Sequence, residues 1–114
     1  DPSASESPPA WESRCQQVEA FSATHGDKKF LCVEIGYNES ARAAAEPWAF
    51  KTGGDHAAEI QQRCIEVALD LPLHCPAIAG MYWWKWFPEL PSHEEENYRL
   101  QTPEIKALLA KHWR

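Results

Sequence analysis

One carboxylate near the end of an apolar run is the residue of this 114-residue chain best suited to chemistry. Glu34 is the only charged residue of the run 30–36 and lies two positions before its end. Burial of an unpaired carboxylate in a strand costs free energy. Such a residue is therefore either a structural group with hydrogen-bonding or charged partners, or a functional group. Parallel α/β folds build their sites at the carboxyl ends of strands, so the position of Glu34 favours function.

A second apolar run, 78–86, ends in a cluster of tryptophans. Consecutive strand residues point to opposite faces, so one of Trp83 and Trp84 should pack under helices while the other faces inward. An inward aromatic ring at a strand end suits stacking on a sugar ring, whereas at least half of the cluster should fill the core. Trp48, in the connection after Glu34, could add a second binding surface or simply pin that connection.

The elements predicted to carry these residues alternate between helix and strand. Hydropathy predicts helix, strand, helix, strand, helix over about 10–24, 30–36, 55–71, 78–86 and 103–113. Both strands are apolar enough to be buried on both faces, as strands of parallel sheets are. The alternation indicates βαβ units. Two parallel strands make a poor sheet alone, so we expect other polypeptide to supply further strands.

Capping signals predict the helix boundaries. Gly26 should stop the first helix, and Asp55 should cap the second, which a Glu59–Arg63 pair would support. Thr102, followed by proline and glutamate, is a strong start for the closing helix.

Composition and charge exclude several classes of partner. The chain has 11 basic and 17 acidic residues, a net charge of −6, so we expect neither nucleic acid nor membrane as a partner. No apolar run reaches the roughly 20 residues of a membrane span. Residues 1–15 lack the layout of a signal peptide, and residues 1–9 are predicted to be a loop or linker.

The cysteines and histidines predict no metal or cofactor site. Cys15, Cys32, Cys64 and Cys75 form no Cys-x-x-Cys pair and lack zinc-finger spacing, although disulfides stay open. The acidic segment 93–97 is best interpreted as a solvated loop.

Two segments carry a family resemblance. The Glu-Ile-Gly-Tyr motif at 34–37 with Ala-Ala-Glu-Pro-Trp at 44–48, together with the tryptophan-rich 79–86, resembles strands seven and eight of glycoside hydrolase family 113 and related clan A barrels. Those are retaining β-mannanases and similar enzymes. The resemblance covers about 10–114. It implies an α/β fold that is the C-terminal portion of a (β/α)8 TIM barrel, from helix 6 to helix 8, and thus the last third of such a barrel.

The resemblance also implies roles for individual residues. Glu34 corresponds to the nucleophile, and Trp83 to the aromatic lining the sugar site, with Trp84 its replacement if the register differs by one. Tyr37 and Trp48 are implied as further substrate-binding residues. The acid/base is expected on strand four, which this chain lacks. A retaining glycosidase needs two carboxyls about 5–5.5 Å apart, so the chain alone should be inactive.

Three hypotheses follow. The first is a retaining glycoside hydrolase acting on β-linked mannan or a similar glycan, an interpretation that slightly favours a secreted protein. The second is a non-catalytic carbohydrate-binding or scaffold protein of the same fold, whose missing part would lack the acid/base. The third is a small α/β interaction domain that oligomerises to complete its sheet. In the first two, the remaining barrel strands come from upstream sequence or another chain.

Overall fold

The computed structural model describes residues 8–49, 52–86, 98 and 100–113. It contains α1 (Pro8–Thr24), β1 (Phe30–Ile35), α2 (Ala57–Leu69), α3 (Leu71–His74), β2 (Ile78–Trp83) and α4 (Pro103–His112). The order agrees with the prediction from hydropathy except for the short α3. Within these ranges, every helix is too short or too polar to cross a membrane.

β1 and β2 form a two-stranded parallel sheet, joined through α2 and α3. Cys32 lies opposite Met81, and Ile35 opposite Trp83. Three steps along β1 therefore match two steps along β2, which is an irregularity of the bulge type. Because the strands are parallel, both carboxyl ends lie at the same end of the sheet.

The hydrophobic core covers one face of the sheet and leaves the other exposed. Ile35, Met81 and Trp83 pack against the hydrophobic core. On the opposite face of the sheet, Leu31 is 52% exposed and Val33 is 78% exposed. The prediction that both faces are buried is therefore wrong for the described chain. The physical reason is that the core covers one side of a sheet that has only two strands among the described residues.

The core lies between the helices and the sheet. Its buried members are Tyr37, Ala43, Ile60, Cys64, Ile65, Ala68, Leu69, Leu71, Leu100, Ile105 and Leu109. Trp11 and Cys15 of α1 pack against this cluster. Removal of these side chains from water is the main force holding α1, α2 and α4 to the sheet.

The boundaries of α2 differ from the prediction. The helix begins at Ala57 after His56, which adopts a left-handed conformation and makes no side-chain capping bond, so Asp55 is not the cap. Two glycines with positive φ, at 53 and 54, turn the chain just before it. The helix ends at Leu69 rather than continuing to 71, because the proline at position 72 has no N–H to donate. The predicted Glu59–Arg63 pair is also wrong, since Arg63 bonds Glu66 at 3.1 Å.

Two other helix boundaries, the end of α1 and the start of α4, agree with the prediction. α1 ends at Thr24, and Gly26 has φ 71°, the left-handed conformation that glycine adopts readily. α1 begins at Pro8, inside the segment predicted to be a loop. The Thr102 hydroxyl accepts a bond of 3.2 Å from the backbone N–H of Ile105, which confirms the cap of α4. The acidic segment 93–97 lies outside the described residues.

Candidate functional site

Glu34 lies one residue before the end of β1 and is exposed. The sequence predicted it on a buried face with Phe30 and Cys32. That placement is wrong, because the irregularity between Cys32 and Ile35 interrupts the alternation and leaves both Val33 and Glu34 exposed. The carboxylate is therefore accessible at the carboxyl end of the strand.

The ends of β1 and β2 are held close together. The backbone N–H of Trp84 donates a 2.7 Å hydrogen bond to the carbonyl oxygen of Ile35. A Cβ added to Gly36 would collide with the Trp84 carbonyl oxygen and lie 3.1 Å from the Trp84 Cβ. A glycine is therefore needed at position 36 for Trp84 to approach the end of β1. The peptide bond between Trp84 and Lys85 is cis.

The two consecutive tryptophans have different surroundings. Trp83 packs against the core, and its Nε1 is buried without a hydrogen-bond partner among the described residues. Trp84 is 44% exposed, and the Lys85 Nζ lies 4.8 Å from the centre of its ring. Strand alternation predicted such a difference between the two rings. The accessible one belongs to Trp84, whose backbone N–H bonds the Ile35 carbonyl oxygen.

Tyr98 joins the loops that follow the two strands. Its hydroxyl donates to the Pro47 carbonyl oxygen at 2.8 Å, and its own carbonyl oxygen accepts from the Lys85 N–H at 3.1 Å. Trp48, next to Pro47, is 72% exposed. The loop carrying Trp48 is thereby held near the segment carrying Trp84. Sequence reasoning missed Tyr98, because no pattern around it distinguishes it from other loop residues.

Tyr37 lies in the core rather than on the surface. Its side chain is 5% exposed, and its carbonyl oxygen accepts a 2.9 Å bond from Nε2 of the buried Gln61. Next to it, the buried Asn38 donates through Nδ2 to the Ala49 carbonyl oxygen at 3.0 Å. These contacts fix the path of the chain as it leaves β1.

Comparison with known proteins assigns the chain to a family. The model of glycoside hydrolase family 113 matches residues 2–101. The chain belongs to glycoside hydrolase family 113. This is a family of mannanase-like (β/α)8 barrels, and the α/β structure agrees with it. No curated protein and no solved structure matches the chain.

In a barrel of family 113, the two ends of the sheet have different roles. Barrels of this kind place their active sites at the carboxyl ends of the strands, and residues at the opposite end serve stability. Glu34, Trp84 and the Tyr98 contacts all lie at the carboxyl end. Within the described part of the chain, no group of three or more His, Cys, Asp or Glu side chains is arranged to hold a metal ion. An accessible carboxylate such as that of Glu34 can act as a nucleophile or as a base.

Proposed function

We propose that this chain supplies the nucleophile strand of a retaining glycoside hydrolase that cleaves β-linked, mannan-like glycans, with Glu34 as the nucleophile. The observation that carries the proposal is the position of Glu34, exposed at the carboxyl end of β1 and one residue before Ile35, whose carbonyl oxygen bonds the Trp84 N–H. Membership of family 113 supports the class of reaction and of substrate.

The chemistry requires a second carboxyl group. Glu34 attacks the anomeric carbon while a carboxylic acid protonates the departing glycosidic oxygen, which gives a glycosyl ester of Glu34. Water, deprotonated by the same second group, then releases the sugar and restores the carboxylate. The second group must lie about 5–5.5 Å from Glu34. We assign it to a strand outside this chain.

The aromatic residues divide into binding and supporting roles in this proposal. Trp84 and Trp48 are exposed and would contact the apolar faces of the sugar rings. Lys85 would steady one side of the Trp84 ring, leaving the other for the glycan. Tyr37 and Trp83 pack in or against the core and would position the strand ends.

The exposed face of the sheet supports assignment to a larger barrel. Leu31, Val33 and the 63% exposed Tyr82 are large side chains that soluble proteins rarely leave in contact with water side by side. In a (β/α)8 barrel, the side chains opposite the helices fill the barrel interior. We therefore assign β1 and β2 to strands seven and eight, with the remaining strands covering this face.

The test is Glu34→Gln in the complete barrel protein. The amide keeps the shape of the side chain but cannot form the ester, so kcat should fall at least about a thousandfold with little change in Tm. Glu66→Gln is the matched control, because Glu66 lies in the last turn of α2, which leads to the start of β2, and its surface pairing with Arg63 contributes little stability. Activity of Glu34→Gln within tenfold of wild type would remove Glu34 from the nucleophile role. A wild-type protein that binds mannan oligosaccharides without cleaving them would instead be the non-catalytic member of the fold.

A further inference from the structure

Three cysteines from three segments interact near the amino-terminal end of the sheet. Cys15 lies on α1, Cys32 in β1, and Cys75 between α3 and β2. Burial raises the pKa of the Cys75 thiol, and the neighbouring Cys15 and Cys32 raise it further. All four cysteines of the chain are free thiols in the structure. The proposed catalytic chemistry uses none of them.

Hydrogen bonds independent of the thiols hold α1 against the segment that contains Cys75. Glu19, one helical turn after Cys15, accepts a 2.8 Å bond through Oε1 from the backbone N–H of Ala77. The Ala77 carbonyl oxygen accepts a 2.7 Å bond from the N–H of Phe30. Cys15 and Glu19 share a face of α1, because residues four apart in a helix are neighbours. This face therefore lies along residues 75–77.

The two thiols differ in accessibility. Cys75 is fully buried, whereas Cys15 is half-buried. Burial, followed by the neighbouring Cys15, raises the pKa of Cys75 to about 12. At neutral pH, Cys75 is therefore a protonated thiol, and Cys15 is the one that a reagent in solution reaches first.

We propose that Cys15 and Cys75 form a disulfide bond when the protein meets a small-molecule disulfide such as glutathione disulfide, linking α1 to the start of β2. The Cys15 thiolate attacks one sulfur of glutathione disulfide and releases one glutathione. Cys75 then gives its proton to solvent, and its thiolate attacks the Cys15 sulfur and releases the second glutathione. The two protein thiols lose two electrons, and glutathione disulfide is reduced to two thiols.

The position and kinetics of this bond follow from the geometry. The bond lies at the stability end of the fold, so it should strengthen the structure without entering catalysis. The second step needs the Cys75 thiolate, whose population rises with pH, because burial keeps the pKa of the Cys75 thiol above its usual value. Formation of the bond from the mixed disulfide should therefore be faster at pH 9 than at pH 7.

Peptide mapping of the oxidised protein tests the pairing. The protein is incubated with glutathione disulfide, its remaining thiols are alkylated, and it is cut with trypsin and a glutamate-specific protease without reduction. These cuts place the three cysteines and Cys64 on separate peptides, 15–19, 30–34, 67–85 and 64–66. We expect 15–19 linked to 67–85 in most molecules. Alkylation of Cys75 throughout, or its linkage to 30–34, would overturn the proposal.

Two variants and a melting curve test the effect on stability. Oxidation should raise Tm by at least about 5 °C, because the bond closes a long loop of the unfolded chain. The rise should persist in Cys64→Ser, whose substituted thiol lies in α2, and vanish in Cys75→Ser. A linked wild-type protein with an unchanged Tm would refute a stabilising role.

Discussion

The backbone N–H of Trp84 donates a 2.7 Å hydrogen bond to the carbonyl oxygen of Ile35, so the residue after β2 is fixed to the last residue of β1. Glu34 immediately precedes Ile35 in the chain. The bond therefore fixes the backbone of the exposed Trp84 to the strand end that carries the proposed nucleophile. Changes that separate the two strand ends should impair catalysis more than they impair folding.

Gly36→Ala should separate the strand ends. The new Cβ would collide with the Trp84 carbonyl oxygen, and overpacking of this kind costs about 1–3 kcal/mol. We expect kcat/KM to fall at least tenfold and Tm to fall by a few degrees. Gly80→Ala is the matched control, because its Cβ would meet Leu31 Cδ1 at an ordinary 3.5 Å. Equal losses in the two variants would show that the approach of Trp84 to β1 has no special importance.

Trp84→Ala should weaken glycan binding. Removal of an exposed aromatic ring that stacks on a sugar should raise Kd about tenfold. Calorimetry with mannan oligosaccharides in the Glu34→Gln background would measure Kd without turnover. Trp113→Ala is the control, because Trp113 is also exposed, at 62%, but lies at the end of α4. Binding that is unchanged in Trp84→Ala would contradict the assignment.

His112 joins α4 to the end of α2. Its Nε2 lies 2.9 Å from Asp70 Oδ1, and its Nδ1 lies 2.9 Å from the Leu108 carbonyl oxygen. His112→Ala loses both contacts, so the free energy of unfolding should fall by about 1–2 kcal/mol. Lys111→Ala, at an exposed neighbouring position, should change it by less than about 0.5 kcal/mol.

A double-mutant cycle with Asp70→Asn separates the pair from the rest of the loss. Denaturant unfolding of the two single variants and the double variant should show coupling of at least about 0.5 kcal/mol. Strictly additive effects would mean that the contact between His112 and Asp70 contributes no stability of its own.

The sequence predicted the order of the elements because the patterns behind it are local. The Thr102–Pro103 signal is complete within one helical turn, and its capping bond is present. Gly26 likewise follows α1 with the expected positive φ. Glu34 and the tryptophans were identified by residue type and by position within their runs, which also need no knowledge of distant contacts.

What the sequence did not predict depends on contacts between segments. The irregular pairing that exposes Glu34 arises from the register of β1 against β2, and β1 alone does not determine it. The contacts of Tyr98 span 51 residues of sequence to Pro47. The start of α2 was misplaced because Asp55 has the composition of a cap, whereas the glycine turn before it sets the backbone.

Trapping of the covalent intermediate would identify which carboxylate is the nucleophile. A 2-deoxy-2-fluoro-β-mannoside with an activated leaving group slows both chemical steps, so that the glycosyl ester accumulates on the nucleophile of the complete barrel protein. The tryptic peptide 30–42 contains Glu34 and also Glu39, which fragmentation by mass spectrometry distinguishes. We predict a fluorosugar ester on Glu34 and on no other residue. An ester on any other carboxylate, with Glu34 unmodified, would contradict it.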